Sequence, residues 1–146
     1  MLGLLWACAW SHLVMGSAVV WTGHRLSIAE LIFAPICHAN NQHFIINMMM
    51  LLLLYPYADA KITLTAYICG VVVQGIWWHC FFKHTAFGVL GISTVVYSLY
   101  GYYFCNWLVI SQLIISYILE RYHNDVGVSI LHISGFVCGI GLKYVC

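Results

Sequence analysis

Five side chains of this 146-residue sequence have the types and the spacing to act on one reacting group: His43, Asn47, Ser93, Tyr97 and His132. Ser93 offers a hydroxyl nucleophile. His132 offers an imidazole that takes the serine proton as general base and returns it to a leaving amine. His43 and Asn47 stand four residues apart, about 40° on a helix that turns about 100° per residue, so both point one way and both can donate to an oxyanion. Loss of one such donor typically costs about 10²–10³ in rate, which makes the pair nearly as important as the dyad. Ser93 and Tyr97 have the same four-residue relation, and a packed aromatic ring can hold the imidazole where a triad would use a carboxylate. No Asp or Glu lies in the last three apolar runs at this depth. His38 falls about 140° from His43 if both are helical, so those two histidines do not pair.

Chemistry of this kind requires elements that bring the groups to one depth. The composition says what those elements are: 64% of residues are hydrophobic and 6% charged, with a mean hydropathy of +0.95. A soluble domain carries about 25% charged residues, so the sequence describes an integral membrane protein, multi-pass, in contact with the lipid bilayer. A formal net charge of +1 argues against nucleic acid as an electrostatic partner. The seven cysteines form no CxxC pair and read as small hydrophobes within apolar runs. The apolar start, residues 1–20, lacks a basic leading segment and reads as a span rather than a signal peptide.

Charged and polar breaks divide the chain into six spans: 2–22, 38–55, 62–82, 88–104, 106–119 and 126–144. These make a single all-α membrane domain over residues 1–146. A full span needs roughly 20 residues, so the fourth and fifth are short, and a short helix survives where its end is buried or meets a water-filled cavity. Spans that alternate in direction put the loops before spans two, four and six on one side. His43 and Asn47, Ser93, and His132 each follow one of those loops closely, so all four share one third of the membrane. His132, Gly135 and Gly139 lie within about 60° of one another on the last span, and the two glycines form a GxxxG that admits a close neighbour. Basic residues divide three against two between the sides, which leaves the orientation open. Trp77, Trp78, Tyr102, Tyr103 and Trp107 read as aromatic anchors at span ends, and His12, His24, His79, His84 and His123 as interfacial. Ser11, Ser98, Ser111, Ser116, Ser129 and Ser134 read as hydroxyls bonded to their own backbone.

In order along the chain, three motifs resemble those of the rhomboid intramembrane serine proteases. His38-x4-His43-x3-Asn47 resembles the family's HxxxxHxxxN. The segment from Gly91-Ile92-Ser93-Thr94 onward resembles its GxSG-bearing catalytic helix. His132-Ile133-Ser134-Gly135-Phe136-Val137-Cys138-Gly139 resembles its HxxGxxxG helix. The resemblance covers nearly the whole chain. It implies a six-helix bundle around a short central catalytic helix, with Ser93 as nucleophile and His132 as base. Tyr97 would pack on the His132 ring, and the Ser93 N–H with His43 and Asn47 would form the oxyanion hole. Residues 120–125 and the fifth span would act as cap and side gate. The implied reaction is cleavage of single-span membrane proteins, with no cofactor and no metal. Two positions depart from the family's pattern. Thr94 follows the nucleophile where the family has Gly, and Ala29-Glu30 stands where a Trp-Arg pair is expected, in a first loop, 24–37, that is short for the family.

Two other readings remain open from sequence. One is a rhomboid-like protein that binds transmembrane client helices without cutting them, which a serine-reactive fluorophosphonate probe would distinguish. The other is a histidine-rich haem or metal protein using His43, His79 and His132, which a Soret absorbance scan would reveal.

Overall fold

The structure is a computed structural model that describes residues 1–15, 27–38, 40–82, 91–122 and 127–146. Its described residues are helical, without strands. Seven α-helices follow in order: α1 (Leu2–Met15), α2 (Ile28–Phe33), α3 (Asn41–Leu54), α4 (Ala60–Trp77), α5 (Ser93–Tyr103), α6 (Trp107–Tyr122) and α7 (Gly127–Leu142).

Local chemistry sets most of the boundaries. Ser27 and Glu30 form a reciprocal capping box that starts α2 inside the first loop. That helix runs into a 3₁₀ turn, Ala34–Ile36, led by Pro35. Asn40 accepts the His43 N–H at 2.8 Å and so begins α3. Pro56 lacks a backbone N–H, and it lies in the 3₁₀ turn Tyr55–Tyr57 that closes α3. Asp59 caps α4 through the Ile62 N–H at 3.0 Å, and α4 continues as a π-helical turn, Trp78–Phe82. Asn106 accepts the N–H groups of Leu108 and Val109, each at 3.1 Å, and starts α6.

Six of the seven helices fall on the six expected spans, with corrected ends. The second span begins at Asn41, because Asn40 is an N-cap with extended backbone and His38 precedes the helix. The fourth starts five residues later than expected, at Ser93, with residues 88–90 outside the described set. Helix α6 runs on through Tyr122, so the first part of the expected polar cap 120–125 is helix; residues 123–126 lie outside the described set. Among the described residues one helix, Ala60–Cys80, is long and apolar enough to cross a membrane; Leu2–Val14, Trp107–Leu119 and Val128–Leu142 are shorter apolar helices.

Helix α5 sits at the centre. Residues 93–99 are all buried, and its principal neighbours are α7, α4 and α3. The closeness of α5 to α7 comes from glycine. Gly135 rests on the Thr94 carbonyl, Gly139 on the Ser98 carbonyl and Gly101, from the other side, on the Phe136 carbonyl, each with no room for a Cβ. Ser98 then bridges its own helix and the facing one, its single hydroxyl hydrogen shared between the Thr94 carbonyl at 3.0 Å and the Gly135 carbonyl at 2.9 Å. An apolar core built around Leu51, Leu54, Ile92, Val95, Val96 and Leu99 also holds buried polar groups, and large apolar side chains lie outside as well. Ser11, His38, Asn47, Thr63, Gln74, Ser93, Thr94, Ser98 and Ser129 are buried, while Trp6, Leu13, Leu53, Leu64, Ile68, Val72, Ile76, Leu108 and Ile118 are exposed.

One expected anchor is interior and a second is half-buried. Trp78 is buried, and Trp77 donates from Nε1 to Ser134 Oγ on α7 at 3.1 Å. Trp107 is 83% exposed.

Candidate functional site at the head of helix α5

Ser93 is the first residue of α5 and is 8% exposed. The backbone before it makes a tight reversal at Gly91, whose φ of +103° lies in the region that L side chains avoid. The Gly91 N–H donates to the Ala34 carbonyl at 3.1 Å, so the 3₁₀ turn after α2 pins the reversal. Ile92 precedes the helix without a side-chain cap. The Ser93 N–H therefore belongs to a first turn whose N–H groups have no intrahelical acceptor, the arrangement that leaves donors for an anion.

His43 reaches this turn from α3. Its ring lies over Gly91, so closely that a Cβ there would stand 2.5 Å from Cε1 and 3.0 Å from Nε2. Asn47, one turn further along α3, is 2% exposed, and its buried Nδ2 has no hydrogen-bond partner. An amide donor without an acceptor in a buried position is costly, so Asn47 is a group whose bonding capacity is in reserve.

From the other side, α7 contributes His132. Tyr97, one turn below Ser93, stacks on the His132 ring with centroids 4.5 Å apart and planes 28° from parallel. The Tyr97 hydroxyl accepts from Gln112 Nε2 of α6 at 3.2 Å. His132 Nε2 is buried without a hydrogen-bond partner, so the Ser93–His132 bond is not formed. Catalytic bonds are often long before substrate binds. His43 and His132 are near enough to interact electrostatically.

Four of the five singled-out residues, Ser93, Tyr97, His132 and His43, thus converge on the head of α5, and Asn47 follows His43 on the same helix. His38 departs from expectation. It is 1% exposed, and its ring meets that of His43 edge to face at 5.4 Å. The helical angle between the two did not apply, because His38 lies outside α3. His12 stacks on Phe44 at 4.1 Å and bonds Asn41 at 3.0 Å, tying α1 to the start of α3. His79 is exposed on the π turn; His24, His84 and His123 lie outside the described residues. Of the serines, Ser111 bonds its own helix as expected, at 3.0 Å from the Leu108 carbonyl. Among the described residues no group of three or more His, Cys, Asp or Glu is placed to hold a metal ion.

Sequence reasoning passed over Gln74. This glutamine of α4 is 1% exposed, and its Nε2 donates to the Gly91 carbonyl at 2.9 Å and to Thr94 Oγ1 at 3.3 Å. A primary amide alone in an apolar run was the available signal.

Comparison with known proteins gives no matching family model, no matching curated protein and no matching solved structure.

Proposed function

We propose that this chain is a multi-pass membrane protein with a rhomboid-like six-helix arrangement and that the head of α5 hydrolyses peptide bonds of single-span membrane proteins. The observation that carries the reading is the stack on His132 of Tyr97, one helical turn from Ser93. It supports a dyad without a carboxylate, because a packed ring holds the imidazole that would serve as base. Ser93 Oγ attacks the scissile carbonyl while His132 removes its proton. The oxyanion accepts from the Ser93 N–H, His43 and Asn47. His132 then protonates the leaving amine, and water hydrolyses the acyl-enzyme by the same steps in reverse. The large apolar side chains exposed along the helices support the bilayer as the surrounding solvent, because a hydrocarbon exterior favours apolar faces outward.

Thr94 and the unformed Ser93–His132 bond favour a second reading, a rhomboid-like protein that binds transmembrane clients without cutting. Co-expression of a single-span reporter with wild type, Ser93→Ala and His132→Ala separates the two. The protease reading expects cleavage by wild type alone. Reporter bound by all three and cut by none establishes the client-binding reading instead.

A further inference from the structure

The turn that presents Ser93 is held at three points, and two of them belong to one side chain. Gly91 donates its N–H to Ala34, and its carbonyl accepts from Gln74 Nε2 at 2.9 Å. The same nitrogen donates its second hydrogen to Thr94 Oγ1 at 3.3 Å. Both N–H bonds of the amide are committed, one on each side of Ser93. A flipped amide would set Gln74 Oε1 against the Gly91 carbonyl oxygen, acceptor against acceptor, so the orientation is fixed. Gln74 is 1% exposed and Thr94 1% exposed, which removes water as a competing partner.

The second anchor is the residue that departs from the rhomboid pattern. A glycine after the nucleophile would give Gln74 no side-chain acceptor. The Thr94 hydroxyl supplies one, and its backbone carbonyl is the seat on which Gly135 of α7 rests. Thr94 therefore joins three helices at one residue: α4 through its hydroxyl, α7 through its carbonyl, and α5 to which it belongs.

We propose that Gln74 is a positioning residue for this site, its side-chain amide clamping Gly91 and Thr94 so that the Ser93 N–H and the surface under the His43 ring are held in place. The catalytic consequence rests on the protease reading; the clamp itself does not. Gln74 touches no reacting atom. It acts through the turn, by keeping a donor aimed where charge develops, which is worth most when no reorganisation is needed at the moment of reaction.

The test compares wild type with Gln74→Met, Thr94→Val, Thr94→Ser and the Gln74→Met/Thr94→Val double variant, all as full chains in micelles. Amide hydrogen exchange reads the clamp without reference to activity. Gln74→Met is expected to speed exchange at Gly91 by about tenfold or more while residues 96–103 of α5 keep wild-type protection. Reporter hydrolysis is expected to lose about tenfold or more in kcat with KM unchanged, the signature of an interaction made in the transition state. Thr94→Ser retains the acceptor and stays near wild type. Thr94→Val loses it, and adding that change to Gln74→Met has little further effect, because the two residues share one bond. Unchanged exchange at Gly91, or exchange that rises equally along all of α5, overturns the clamp and leaves Gln74 a packing residue. If wild type cleaves nothing while Gly91 exchange still responds to Gln74→Met, the clamp stands and the protease reading falls.

Discussion

Tyr97 joins three helices through one side chain. Its ring carries His132 of α7, and its hydroxyl accepts from Gln112 of α6. The two contacts separate by substitution. Under the protease reading, Tyr97→Phe keeps the stack and is expected to retain reporter cleavage within about threefold, whereas Tyr97→Ala removes an aromatic pair worth about 0.5–1.5 kcal/mol beyond its buried area and is expected to lower kcat by about tenfold. Equal losses in the two variants would assign the effect to the hydroxyl. This residue was legible in sequence because it stands one turn from Ser93, and so were His43 and Asn47, one turn from each other. His38 was misread for the complementary reason: helical angles assume a helix, and Asn40 caps α3 after His38 has passed. Gln74 was not legible as a partner of the site. Its bonds reach 17 and 20 residues along the chain, and no periodicity within one helix reports a contact between two.

At the scale of elements, the α5–α7 interface sets His132 against Tyr97. Gly139→Ala would drive a methyl into the Ser98 carbonyl, and overpacking of this kind costs about 1–3 kcal/mol. Unfolding of the variant in mixed micelles should therefore begin at distinctly lower denaturant. Gly141→Ala is the control on the same helix: a Cβ there meets nothing within 4 Å, and replacing a helical glycine gains about 0.5–1 kcal/mol. A Gly141→Ala variant that unfolds as early as Gly139→Ala would sink the close-approach account. The common face of His132, Gly135 and Gly139 could be read from spacing. Gly101 could not, since its partner, the Phe136 carbonyl, belongs to the other helix. Helix ends were the least legible feature. Asn40, Asp59 and Asn106 cap by side-chain bonds that composition does not reveal, and α6 runs past the charged pair that was read as its end.

Across the whole molecule, Leu64, Ile68, Val72 and Ile76 repeat every four residues along the exposed face of α4. Under the membrane reading this stripe faces lipid, and Ile68→Lys near its middle costs about 2.5–3.5 kcal/mol of insertion free energy. Less of that variant should resist alkaline extraction from membranes than wild type. If Ile68→Lys is retained as well as wild type, the stripe does not face hydrocarbon. The all-helical class and the positions of six helices were readable from apolar runs. The central place of α5 came only from the resemblance, which implies a short central helix there; the apolar runs did not show it, since its sequence looks like that of any other short span.

That central place sets an order of assembly. The partner on which α5 depends most is α7, which begins at Gly127, after all of α6 has been made. A chain emerging from the ribosome therefore produces Ser93, Tyr97 and Gly101 well before the glycines and carbonyls that fit against them exist. Until then α5 has α3, α4, the Ala34 turn and Gln112 of α6 for company, and Tyr97 has no imidazole to stack on. Domains are completed as their elements become available during synthesis, so the stack of His132 on Tyr97 must wait until α7 has been made. No nascent chain that ends before α7 can bring the two residues together.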